Sequence, residues 1–193
     1  MKKFVTLLLV ALFASTAFAG LDDGADSFGV YFDTLGNVND LDGQPIFTPF
    51  NVYLLLMNPV SATNGFECTV TPTGAPHFIL STTLGGTGAI DVDASPNGFA
   101  VGAAADYPTV GGAMLLVTWS FMLQANTPLE FRITKASIPS MTGNLPVVTG
   151  DGVLRRCGVA SGSVTAPVAY VNSPNEPVTT EVSSFGNVKS LFR

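Results

Sequence analysis

The chain has 193 residues, a formal net charge of −6, and charged side chains at only 11% of its positions. An acidic chain with no basic stripe repels phosphate backbones, which sets nucleic-acid binding aside. With so few charges its solubility leans on Thr, Ser, Asn and Gly, a composition of secreted β proteins rather than of cytosolic helical ones.

The N-terminus reads "MKKFVTLLLVALFASTAFA". Lys2 and Lys3 precede an apolar run from Phe4 to Phe13, and Ala17-Phe18-Ala19 places small residues around a cut. This is the order of a secretory signal peptide, with an apolar part too short to span a bilayer. Residues 1–19 are therefore assigned to export, and the mature chain is expected to be secreted, extracellular or held in the cell envelope. Cleavage after Ala19 removes two lysines and leaves a more acidic chain, long enough for one domain with a real core. No Cys follows the cut, which argues against a lipid anchor there. No later apolar run reaches the roughly twenty residues that a transmembrane helix needs; the best candidate, "AMLLVTWSFMLQA", is broken at Gln124.

From there the pattern is of strands. "FGVYF" sets Phe28, Val30 and Phe32 on one face. "FNVYLLLMN" is almost continuously apolar, as for a central strand covered on both sides. "GFECTVTP" puts Phe66, Cys68 and Val70 on one face and Glu67, Thr69 and Thr71 on the other. "HFILSTTL", "AIDVDA" and "FAVGAAA" follow, then the longest apolar run, "GAMLLVTWSFMLQ", in which Trp119 is expected to be buried. "PLEFRITKA" alternates Leu129, Phe131 and Ile133 inward with Glu130, Arg132 and Thr134 outward. "GVLRRCGVA" and "SVTAPVAYVN" complete the set. Turn chemistry ("PTG", "LGGTG", "SPNG", "TVGG", "TGDG") separates the runs, and no helical pattern intervenes. The expectation is an all-β chain: a single β-sandwich of jelly-roll type with about nine or ten strands over residues 20–171. A Pro-rich linker and a short tail occupy residues 172–193.

Cys68 and Cys157 remain after export. In an oxidising compartment an even pair reads as a disulfide, worth about 4–5 kcal/mol for so long a loop. It requires Cα atoms roughly 5–6 Å apart, and hence the strand before Cys157 lying close to "GFECTVTP". One conflict accompanies it. Strict alternation from Val153 turns Arg155 inward, and a bulge near Arg155–Arg156 is expected to relieve this.

Candidate chemistry is sparse, and no enzymatic activity is expected. His77 is the one histidine, without a Ser-plus-acid frame or a nucleophile elbow around it. The glutamates offer no acid–base pair for glycoside hydrolysis. Calcium is the more fitting cofactor: "DTLGNVNDLDGQ" gathers Asp33, Asn37, Asn39, Asp40 and Asp42, oxygen ligands of the kind hard cations take from a loop. The spacing departs from that of a helical-hand loop. A second stretch, "DVDASPNG", holds Asp91, Asp93, Ser95 and Asn97. At both, a solvated turn is the stronger reading, so no cofactor is expected, with calcium as the alternative. Glycan binding needs exposed aromatic platforms, and Tyr107, in "ADYPTVGG", is the most loop-like candidate. In the tail "SSFGNVKSLFR", Phe185, Val188, Leu191 and Phe192 recur at helical spacing and form a candidate docking face for a partner, since so short a helix does not persist alone.

From about Pro49 to Asn172 the chain resembles the cohesin and carbohydrate-binding-module type of bacterial extracellular sandwich. "FNVYLLLMNPVSATNGFECTV" is similar to that family's opening, where an apolar strand leads to "N-P", a short loop and a strand beginning "GFE". "GGAMLLVTWSFMLQANTPLEFRITKA" is similar to its later stretch, where a glycine turn feeds a long apolar strand and "TPLEF" opens the next. The cysteine pair is not part of the family's pattern. The resemblance implies a nine-stranded sandwich acting as a non-enzymatic module for attachment or assembly with a protein partner, or with copies of itself, at the cell surface. Carbohydrate binding, calcium-assisted, is the alternative.

Overall fold

The computed structural model describes residues 21–173. The expected signal peptide, residues 1–19, and the expected docking residues Phe185, Val188, Leu191 and Phe192 lie outside them. The described chain is all-β, with fourteen strands in two sheets. In order they are β1 Ser27–Tyr31, β2 Asp40–Leu41, β3 Pro49–Met57, β4 Gly65–Gly74, β5 His77–Leu84, β6 Ile90–Asp91, β7 Gly98–Gly102, β8 Thr109–Val110, β9 Ala113–Leu123, β10 Leu129–Thr134, β11 Val147–Gly150, β12 Val153–Arg156, β13 Gly158–Val159 and β14 Ala169–Val171.

The longest apolar runs take the centre of the first sheet, sheet A, whose order is β13-β1-β3-β9-β5, with β8 beside β9. β3 pairs antiparallel with β1 along one edge and β9 along the other, and from Leu54 to Met57 it is buried on both faces. In sheet B, β4 is central. β7 pairs with Gly65–Thr69 on one edge of β4, while β11 pairs with Gly65–Glu67 and β10 with Thr69–Gly74. β10 and β11 thus lie end to end along the other edge, with residues 135–146 extruded between them as a loop. β12, β14 and β2 complete that side, and β6 lies outside β7.

The alternating residues of both sheets meet in one core. Phe28 of sheet A lies 6.3 Å from Phe66 of sheet B, Trp119 lies 5.7 Å from Phe99, and Phe121 lies 5.4 Å from Phe131. Such tilted and edge-on pairs add to the burial of large rings. Trp119, Leu129, Phe131 and Ile133 are buried as the sequence pattern requires. β1 departs from the pattern, being buried on both faces. Tyr31, Leu55, Met57 and Ala113 form a second, outer cluster, roofed by the segment before β1. Leu21 N donates to Gly36 O (3.1 Å), and Asn58 Nδ2 donates to Asp22 O and Gly24 O.

Two expectations are corrected. Arg155 does turn inward, and no bulge relieves it: β11 and β12 pair without a break. Its Nε donates to Asp26 Oδ2 at 2.9 Å and its Nη2 to Thr63 Oγ1 at 2.9 Å. The chain then leaves sheet B at Cys157 and enters sheet A as β13.

The cysteines are free and buried. Cys157 N donates to Pro146 O (2.9 Å), and β11 lies between β12 and β4. Positions so related are two strand spacings apart, about 9–10 Å, beyond the roughly 7 Å limit for a disulfide. Burial pushes the Cys68 thiol well above its ordinary range, and burial followed by the nearby Asp26 pushes Cys157 up to about 12. Raised thiols stay protonated at neutral pH and act as small apolar side chains. We therefore expect iodoacetamide at pH 8 to label neither cysteine in the folded protein and both after denaturation. A disulfide-linked peptide pair in an unreduced digest would contradict this arrangement.

Candidate functional site

The outer face of sheet B carries a groove of about 250 Å³. Register defines its floor. Gly65 of β4 lies between Gly102 of β7 and Thr149 of β11, and Glu67 lies between Ala100 and Val147. These residues face outward because Phe66 and Cys68, which alternate with them, are in the core. Gly65 has no space for a side chain: a Cβ there would lie 2.7 Å from Thr149 Cγ2 and 2.9 Å from Val101 O. At Gly102 a Cβ would meet nothing within 4 Å, so its missing side chain is what leaves the groove open.

Apolar side chains rim this small-residue floor. Ile90 pairs with Gly102, and Val92 N donates to Ala100 O (3.0 Å), so both stand on the β6 side. Leu154, opposite Thr149, stands on the β12 side. All three are exposed, Val92 to 78%. The loop 135–146 walls one end. Lys135 N donates to Asn144 O (3.0 Å) across its base. Ser140 N and Ser140 Oγ donate to the two oxygens of Glu67, each at 2.7 Å. Ser137 Oγ donates to Asp93 Oδ2 (2.8 Å), and Arg156 Nη2 donates to Thr142 Oγ1 (3.1 Å). Glu67 is only 9% exposed as a result. Hydrogen bonds from Ser95, then Ser137, hold the Asp93 carboxyl below the usual carboxylate range. Glu67, Asp91 and Asp93 are thus engaged within the protein, and the groove's lining mixes the apolar Val147 and Leu154 with Ser140 and Thr149.

The sequence candidates fall elsewhere. Tyr107 is not a platform: it is 2% exposed, its ring is edge-on to Phe66 at 6.2 Å, and its amide is bonded to Thr63 O. Burial pushes its hydroxyl up to about 12. Asp33 Oδ1 accepts from Leu35 N (3.1 Å) and Asn37 N (2.9 Å), which makes it a turn cap. Asn39 Nδ2 donates to Val168 O, Asp40 lies in β2 opposite Tyr170, and Asp42 is exposed in the turn beyond. Among the described residues no group of three or more His, Cys, Asp or Glu is placed to hold a metal ion. In the second stretch, Asp91 Oδ1 accepts from Asp93 N (3.0 Å) and Ala100 N (2.9 Å), bracing the turn before β7. His77 Nδ1 lies 2.8 Å from Ala75 O, with its ring 5.4 Å from Phe121. Sequence reading placed Glu67 on the outer face but gave it no role. The alternation that carries Glu67 outward also carries Gly65 outward, yet the loop that covers the carboxylate is not visible in any local pattern.

No protein-family model matches the sequence, and no curated protein matches it. Among solved structures the chain is similar to a cohesin module from a family 33 glycoside hydrolase of Clostridium perfringens, with a TM-score of 0.46 and 10% identity. The match covers 69% of this chain and 90% of that one. The likeness is one of strand arrangement.

Glu67→Ala removes both acceptors of Ser140 while leaving the outer face of β4 otherwise intact. We expect limited proteolysis to cut within residues 135–146 faster than in the parent, with a stability loss of about 1–3 kcal/mol from the orphaned donors. Unchanged cleavage would mean that Glu67 does not hold the loop.

Proposed function

We propose that this chain is an exported, non-enzymatic β-sandwich module for attachment or assembly at the cell surface, and that it engages a protein partner through the groove on the outer face of sheet B. The observation that carries this reading is the glycine floor at Gly65 and Gly102 beneath the exposed Ile90, Val92 and Leu154. Exposed apolar side chains on either side of a concavity mark a protein-interaction surface more than a solvent surface. The acids beside it support binding rather than catalysis, since Glu67 serves Ser140, Asp93 serves Ser95 and Ser137, and Asp91 braces the turn. Export rests on the lysine, apolar and small-residue order of residues 1–19. A glycan ligand is less well served: Tyr31 and Tyr107 are buried, and Phe66, the aromatic among the groove's lining residues, is buried too.

Gly102→Leu tests the reading, because the backbone there is not left-handed and the added side chain enters open space. Peptides selected from a display library on the immobilised chain are expected to share an apolar anchor residue. They should bind Gly102→Leu and Leu154→Asp at least about tenfold more weakly, while both variants melt as cooperatively as the parent. Peptides that bind Gly102→Leu undiminished would place the binding surface elsewhere. A glycan that binds the parent and is blocked by Gly102→Leu would replace the protein partner with a sugar.

A further inference from the structure

Sheet edges invite pairing with other chains unless they are short, charged or interrupted by proline. Most edge strands here are guarded. β13 at the far side of sheet A has two residues, as do β6 and β2 in sheet B, and β12 carries Arg155 and Arg156. β5 is different. It has eight residues, pairs with β9 on one side, and contains no Asp, Glu, Lys, Arg or Pro. Six consecutive residues, Phe78 to Thr83, are exposed, with Phe78 at 47% and Leu80 at 48%. Its register with β9 shifts between Ile79 and Ser81, which makes Leu80 a bulge residue. A bulge can turn an edge away, yet Ser81 to Leu84 beyond it pair regularly with Ser120 to Val117 and leave their other side open.

Charge indicates what covers this edge. No strand of sheet A contains Asp, Glu, Lys or Arg, although the chain carries a net −6. The uncharged stretches are long: Gly43–Phe66, Cys68–Ile90 apart from His77, and Tyr107–Leu129. Two copies of an acidic chain repel wherever their carboxylates approach, and the β5 side of sheet A is built from these stretches. Antiparallel pairing about a two-fold axis sets β5 against itself, so neither strand brings a like charge to the other. It satisfies outward N–H and C=O groups and covers Phe78 and Leu80.

We propose that the chain forms a two-fold dimer by antiparallel pairing of β5 with β5 of a second copy, joining two A sheets into one. The groove and Leu154 lie on sheet B and take no part, so the dimer stands or falls independently of partner binding. Sedimentation velocity of the purified chain over a concentration series should show a monomer–dimer equilibrium. Ser81→Lys with Thr83→Lys places cations at exposed edge positions. This double variant should sediment as a monomer at every concentration used and still melt cooperatively, while Leu154→Asp should still dimerise. Hydrogen exchange of the β5 amides should be slowed in the parent dimer and fast in the lysine variant. A parent that stays monomeric, a dimer that survives both lysines, or a dimer lost with Leu154→Asp would each overturn the proposal.

Discussion

The guanidinium of Arg155 faces into the sandwich, and the chain on both sides takes its position from that. An unpaired cation there costs several kcal/mol, roughly what removing one partner of a buried pair exposes. The protein meets it with Asp26 Oδ2 at 2.9 Å, Thr63 Oγ1 at 2.9 Å and the Ala62 carbonyl at 3.4 Å, while Asp26 also accepts from Val60 N at 3.1 Å. Asp26 leads into β1 of sheet A and Arg155 lies in β12 of sheet B, so the pair fixes one sheet against the other beside the corner where Cys157 carries the chain across. With Arg155 inward, alternation sends Leu154 and Arg156 outward. Leu154 becomes the rim of the groove, and Arg156 reaches Thr142 in the loop that walls it. A slip of one residue would exchange these faces and bury Leu154 at the expense of the groove.

Charge divides the molecule along the same line. The strands of sheet B carry Asp40, Glu67, Asp91, Glu130, Arg132, Arg155 and Arg156, and the Glu130–Arg132 pair at 2.7 Å lies partly in solvent. The strands of sheet A carry none. A surface without charge suits contact between identical acidic chains, while a surface whose charges are tied up around an apolar hollow suits a different partner. A module with both would hold two hollows, one on each B sheet, in a single body joined through the A sheets. The second binding event is then intramolecular, so modest single contacts add up to firm attachment.

Much of this architecture is legible in the sequence. β3, β9 and β10 follow directly from apolar runs and strict alternation, because the core faces of these strands are set by tertiary burial that period-two patterning reports. The other face of β1 was hidden, since Tyr31 is covered by residues before the strand and not by a sheet. β11 was missed because "VVTG" is four residues long and runs into a glycine turn. The disulfide expectation joined two inward cysteines without the strand between them, which only the pairing order supplies. Tyr107 reads as a loop residue by its Pro and Gly neighbours, yet its ring fills the core beside Phe66. Glu67 is outward by alternation, as the pattern says, and its burial comes from a loop seventy-odd residues away in the chain.

A double-mutant cycle at Asp26 and Arg155, read by denaturant unfolding, tests this dependence most directly. The single change Arg155→Ala leaves Asp26 buried and unpaired and is expected to cost about 3 kcal/mol or more. The double change Asp26→Ala with Arg155→Ala should cost clearly less than the sum of the two single changes, and a coupling of about 1 kcal/mol or above is expected. Strictly additive losses would mean that the inward guanidinium does not set the register of β12, and that Leu154 is held at the groove by something else.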